Sequence, residues 1–105
     1  MVRALSNEQK ILNMVGLATR AQRISVGEDQ IIKDIKQGRA KLLLLANDIG
    51  YQTHKKMTDK CQSYHVPYRT VMNRDQLSHA IGKSGRVAVA ITDEGFANKL
   101  SSLLD

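Results

Sequence analysis

Apolar positions in this chain change their period repeatedly, and each change marks a new element. Across residues 6–19, Ile11, Leu12, Val15 and Ala18 fall on one helical face, and Ser6 with Gln9 makes a capping-box pair. Ile24 to Val26 is a short extended piece. Gly27 to Gln37 returns to helical spacing, with Ile31, Ile32 and Ile35 inward and Gly38 just past the end. Lys41 to Ala46 is a short continuous apolar run between polar turns, the pattern of a strand buried on both faces. Asn47, Asp48 and Gly50 make the turn that follows. A third helix spans Tyr51 to Tyr64, with Met57, Cys61 and Tyr64 on its inner side. Pro67 opens a strand at Tyr68 to Val71, and Asn73 caps a helix that runs to about Ile81. Val87 to Ile91 is again strongly apolar and extended. Thr92 or Asp93 caps a last helix that turns Phe96, Ala97, Leu100, Leu103 and Leu104 inward.

Helices and strands therefore alternate from end to end, beginning and ending on a helix. Such alternation buries a central sheet between two helical layers, because each strand needs both faces covered. The expected fold is α/β: a three-layer α-β-α sandwich with about four strands in a mixed sheet and about five helices. With 105 residues, and no linker or repeat, the expectation is one domain over residues 1–105.

Composition narrows the class. The chain is 42% hydrophobic and 25% charged, which is ordinary for a globular protein. Unbroken apolar runs such as Leu42 to Ala46, which no other run exceeds, are far short of the ~20 residues that cross a membrane as a helix. Residues 1–10 lack the apolar segment of a secretory signal, so a cytoplasmic protein without membrane partners is expected. The single cysteine, Cys61, forbids an internal disulfide and a multi-cysteine zinc site. Sixteen Lys and Arg against ten Asp and Glu leave a formal charge of +6, which suits a polyanionic partner and also suits simple solubility. With no Trp, one Phe and three Tyr, the chain cannot furnish a platform that stacks successive single-stranded bases.

Two segments carry candidate chemistry. The turn Ser25-Val26-Gly27-Glu28-Asp29-Gln30 leads from a strand into a helix whose first N–H groups lack helical partners and attract phosphate. Lys33 follows one turn later. The same residues also serve ordinary helix capping, since Glu28 and Asp29 favour the positive helix end. Gly82-Lys83-Ser84-Gly85-Arg86 combines glycines, cations and a hydroxyl before a buried strand; it either follows a phosphate backbone or is a connector with solvated cations. Its order is not that of a Walker A loop. Lys36, Arg39 and Lys41 surround the end of the second helix, and Lys55, Lys56 and Lys60 read as a solvated face of the third. Cys61 and His65 have ligand spacing, but two residues make no metal site, and Cys61 belongs to the apolar face. His54 and His79 lack triad-like company, so neither a catalytic residue nor a cofactor is expected.

Read in order, Val26 to Lys33, Gly38-Arg39-Ala40-Lys41-Leu42, Ala46-Asn47-Asp48, Cys61 through Val66-Pro67-Tyr68, Ala80-Ile81-Gly82 and Val87 to Ile91 resemble the kink-turn-binding ribosomal proteins of the L-seven-Ae and L-thirty-e type. Gly16 to Ala21 and Thr92 to Leu100 resemble a bacterial subgroup of that family. The resemblance covers nearly the whole chain. It implies an α-β-α sandwich that binds sharply bent RNA with tandem sheared G·A pairs, without catalysis. The family's Gly-x-Asn-Glu-x-x-Lys motif maps onto Gly27, Asp29, Gln30 and Lys33, and its second RNA-facing loop onto Lys83, Ser84, Gly85 and Arg86. Two departures stand out: Asp29 replaces the family Asn, and Gln30 replaces the family Glu, which keeps an acceptor but loses the charge.

The expected RNA-binding set is Gly27, Glu28, Asp29, Gln30, Lys33, Lys36, Lys83, Ser84, Gly85 and Arg86, with no metal. The expected partner is structured RNA of kink-turn type, ribosomal RNA and the ribosome included, held by a monomer. A protein-interaction adaptor on the same fold, or a non-specific binder of structured RNA, is the alternative.

Overall fold

The computed structural model describes residues 6–105. Its elements are α1 (Asn7–Arg20), β1 (Ile24–Ser25), α2 (Glu28–Lys36), β2 (Leu42–Leu45), α3 (Tyr51–Ser63), β3 (Tyr68–Thr70), α4 (Arg74–Ile81), β4 (Ala88–Ile91) and α5 (Glu94–Leu104). Order and type match the alternation read from the sequence, with bounds shifted by a residue or so at most ends.

Local chemistry accounts for the helix ends. Ser6 Oγ accepts from Gln9 N at 3.2 Å and Asn73 Oδ1 from Gln76 N at 2.8 Å, and both capping boxes are closed by the Gln side chain. Of the two candidates for the last helix, Asp93 is the cap: its Oδ2 accepts from Phe96 N at 2.9 Å. α4 stops where Gly82 turns left-handed, at φ 71°.

The four strands lie in the order β1-β4-β2-β3. β4 is antiparallel to both β1 and β2, and β2 and β3 are parallel. β2 and β4 occupy the centre, so both their faces are covered. Leu42, Leu44, Val89 and Ile91 pack with Ile11, Val15, Leu77, Ile81 and Leu100 beneath α1, α4 and α5. Leu43, Leu45, Ala88 and Ala90 meet Ile31, Ile35, Met57 and Cys61 of α2 and α3 on the other face. The result is the expected three-layer sandwich with a mixed sheet. All four leucines of β2 are fully buried, and shortening one to Ala would cost about 2–5 kcal/mol.

One inward assignment is corrected. Tyr64 is 46% exposed and caps α3 instead of continuing its buried stripe. The helix ends at Ser63, and His65, two residues on, turns left-handed at φ 59°, which takes the chain out of register with Met57 and Cys61.

Candidate nucleic-acid interface

Antiparallel pairing decides what meets at one end of the sheet. Ser25 stands opposite Ala90, so the chain leaving β1 at Val26 and Gly27 runs beside the chain entering β4 through Arg86 and Val87. Leu45 of β2 stands opposite Ala88, and Ala46 N donates to Val87 O at 2.8 Å, which brings the start of α3 to the same end. The two segments that the sequence singled out, over fifty residues apart, thus share one cleft. Gly27, Glu28 and Ile31 line one wall, Gly85, Arg86 and Val87 another, and Thr53 and Met57 of α3 complete it. The cleft holds about 210 Å³. That is below the ~300–1,000 Å³ of small-molecule pockets and suits a protruding group of a larger partner.

Gly27 caps α2 with φ 90° and ψ 134°, a conformation closed to residues with a Cβ, and it gives no side-chain bond to the helix start. The first N–H groups of α2 are therefore left for an outside acceptor, at the end where the helix dipole is positive. Two neighbouring side chains are held in place. Glu28 Oε1 accepts from Lys56 Nζ of α3 at 2.8 Å, and this hydrogen bond and charge raise the Lys56 pKa above its ordinary value. Gln30 Nε2 donates to Asp34 Oδ1 at 3.1 Å. Asp34 is buried on the apolar side of α2, and Arg39 stands 3.9 Å from the same oxygen. A carboxylate accepts only, so it draws the NH₂ of Gln30 to itself and leaves the amide carbonyl oxygen as an outward acceptor. Asp29 and Lys33 are exposed on the first turns. Lys36 closes α2, about 12 Å from Glu28 at helical rise, and does not join the cleft.

The second wall is built differently. Lys83, Ser84 and Gly85 are exposed, and Gly82 and Gly85 are both left-handed, at φ 71° and 72°. Arg86 is anchored: its N donates to Ser78 Oγ at 2.8 Å, and the same hydroxyl donates to Arg86 O at 3.2 Å. Arg86 Nε is buried and finds no acceptor among the described residues, leaving a guanidinium donor unspent beside the cleft.

Lys56, Ser78 and Asp34 were not among the residues expected to matter here. An acidic residue between Ile31 and Ile35 on an apolar face was a readable signal for Asp34. Nothing local marks Lys56 or Ser78, whose partners lie on other elements. The Cys61–His65 spacing comes to nothing: Cys61 is buried, its thiol pushed up to about 11 by desolvation, while His65 is exposed beyond the helix end. Among the described residues no group of three or more His, Cys, Asp or Glu is placed to hold a metal ion, and no helix is long and apolar enough to cross a membrane.

Residues 9–101 match the ribosomal protein L7Ae/L30e/S12e/Gadd45 family. The RNA-binding protein YlxQ of Bacillus subtilis is 55% identical over 92 residues, 88% of this chain and 92% of its own. The large ribosomal subunit protein eL8 of Thermoplasma volcanium is 31% identical over 88 residues, 83% of this chain and 73% of its own. A solved structure from Bacillus halodurans, of unknown function, superposes with a TM-score of 0.88 at 44% identity, covering 91% of this chain and 97% of its own. The Giardia lamblia 15.5kD RNA binding protein shares the fold, with a TM-score of 0.80 at 21% identity, covering 96% of this chain and 88% of its own. The family match over residues 9–101 and the identity to YlxQ proteins show that the chain belongs to the ribosomal protein L7Ae/L30e/S12e/Gadd45 family, as a YlxQ-like bacterial member.

Proposed function

We propose that this protein binds structured RNA as a ribosomal-protein-like factor, recognises the kink-turn by its shape and its sheared G·A pairs, and performs no catalysis. The observation that carries this reading is the meeting of the uncapped α2 start with the Arg86 loop in one shallow cleft. The names of the YlxQ and eL8 relatives point the same way. The start of α2 enters the groove widened at the G·A pairs, where Gly27 lets the RNA backbone come close and free N–H groups meet phosphate. The carbonyl oxygen of Gln30 accepts from a guanine N–H, held in that sense by Asp34. Asp29 and Lys33 flank this contact, and Lys36 lies further along the helix as a backbone cation. Lys83, Ser84, Gly85 and Arg86 hold the bulge side of the bend. The protein acts as a cytoplasmic monomer on ribosomal or similarly folded RNA.

Binding favours the kinked RNA over an extended one only through differential affinity. The test is a titration of a kink-turn RNA labelled with a fluorophore pair at its ends, beside a control with Watson–Crick pairs in place of the G·A pairs. Bending of the first at protein concentrations that leave the control unbent is expected. Equal, salt-sensitive binding to both would reduce the protein to a general binder of structured RNA. No binding to either would favour a protein-interaction adaptor.

A further inference from the structure

A second depression lies on the α1, α4 and α5 side of the sheet. Asn13, Gly16, Leu17 and Arg20 of α1 face His79 and Ala80 of α4 across a groove. His79 is also part of the next hollow, which runs past Gly82, Lys83 and Ser84 to Gly85. Gly85 in turn belongs to the cleft beside Gly27. The three hollows therefore form one track along the surface, passing over the 82–85 turn from one face of the sandwich to the other.

Three cations line this track, Arg20, Lys83 and Arg86, against two carboxylates, Glu28 and Asp75, and Glu28 is already paired with Lys56. Arg20 and Lys83 are exposed, and neither pairs with a carboxylate among the described residues. His79 lies between them, and the stretch of the track between α1 and α4 is lined by no carboxylate among the described residues, Asp75 standing at the 82–85 turn. The exposed cations Lys55, Lys56, Arg69 and Arg74 are each matched by a carboxylate, whereas Arg23, Lys33, Lys36 and Lys99, like Arg20 and Lys83, have none among the described residues. Leu17, 45% exposed, shares the groove with the partly buried Leu12 and Ala80, and one exposed large apolar side chain is too little to seat a protein helix.

We propose that the α1–α4 groove is a second RNA-holding surface, in which Arg20, with Lys83 at its upper end, takes the sugar–phosphate backbone of the strand that leaves the bend. This rests on the reading of the cleft as an RNA site, because the track starts there. The occupant is a phosphate backbone: the exposed Arg20 and Lys83, unpaired among the described residues, complement it, and the groove runs on into the cleft through His79 and Gly85. Leu17 and the flat surface at Gly16 offer a sugar van der Waals contact. The groove contributes to affinity and to its salt dependence, and not to the choice between G·A pairs and Watson–Crick pairs.

The experiment compares wild type, Arg20→Gln and Arg20→Lys on the kink-turn RNA and on the Watson–Crick control, across a series of salt concentrations, with melting temperatures of all three proteins. Arg20→Gln is expected to weaken binding about three- to tenfold and to lower the salt slope by about one, equally on both RNAs. Arg20→Lys keeps the charge and is expected to keep the slope. Unchanged affinity and slope in Arg20→Gln would overturn the proposal. So would equal losses in both variants accompanied by a lower melting temperature, which would make Arg20 structural. If wild type holds the two RNAs equally, the kink-turn reading fails by itself, and the groove is still judged by the Arg20→Gln slope on the control.

Discussion

The two walls of the cleft solve the same problem in opposite ways. On the α2 wall the chain is committed before any partner arrives: Gly27 holds an unusual conformation, Glu28 is tied to Lys56, and Gln30 is tied to Asp34. On the 82–86 wall only Arg86 is held by side-chain hydrogen bonds, through the Ser78 hydroxyl; Lys83 N donates to Ser78 O, and the side chains of Lys83 and Ser84 stand exposed between the left-handed Gly82 and Gly85. A pre-set wall loses little entropy on binding and suits recognition of a particular edge. A loosely held wall loses more, and suits a backbone whose path varies. In this protein, selectivity should therefore reside in α2 and adaptable grip in the loop.

The largest expected effect comes from breaking the pre-set wall at its bend. Gly27→Val forces a β-branched residue into φ 90° although nothing stands within 4 Å of the new Cβ, so strain acts without a clash. The turn should relax away from its present path, with a loss of about 1–3 kcal/mol in stability and at least a hundredfold in kink-turn affinity, read by melting and by the end-labelled RNA. The loop counterpart, Gly85→Val, also has a positive φ but should cost binding less, because Lys83 and Ser84 hold no side-chain hydrogen bonds to lose.

Gln30 sharpens the contrast next. Gln30→Glu would set a second carboxylate against buried Asp34, where Gln now donates. Lower stability, together with roughly tenfold weaker binding, is expected in this background. Pairing it with Asp34→Asn should recover much of both, measured as a double-mutant cycle. Additive losses would show that Asp34 does not orient residue 30.

Ser78→Ala removes two hydrogen bonds from the one anchor of the other wall. A loss of about 1–2 kcal/mol in stability is expected, with only a few-fold loss in affinity and no change in the preference for G·A pairs. A change in that preference would place selectivity on the loop and break the comparison. The smallest effect is expected at Lys56. Lys56→Met frees the Glu28 carboxylate at the RNA side, and binding should fall by less than about threefold because the pair is exposed and screened. Adding Glu28→Gln should restore it, which separates shielding of Glu28 from a direct phosphate contact by Lys56.

Much of the fold was legible because it rests on contacts close in sequence. The capping boxes at Ser6 and Asn73 join residues three apart, and the alternating faces of β2 and the helical stripe Ile31, Ile35 follow from backbone periodicity alone. Where that periodicity was carried past a helix end, at Tyr64, the expectation failed, since a left-handed residue ends the repeat. The Gln30–Asp34 pair lay within reach of the same local logic, being one helical turn apart.

The alternation of helices and strands, both buried faces of β2, the caps, and the charge that points to an anionic partner are properties of neighbouring residues, set by helical and extended repeats along the chain. Strand order is not. The antiparallel seating of β4 between β1 and β2 depends on which hydrogen-bonding edges meet in three dimensions, and no local spacing encodes that. It is this seating that carries Gly27 to Arg86, Lys56 to Glu28 and the 82–86 turn to the edge of a cleft. Tertiary structure alone turned two short glycine-bearing segments into two walls of one site, because only sheet pairing brings together groups so distant in the chain.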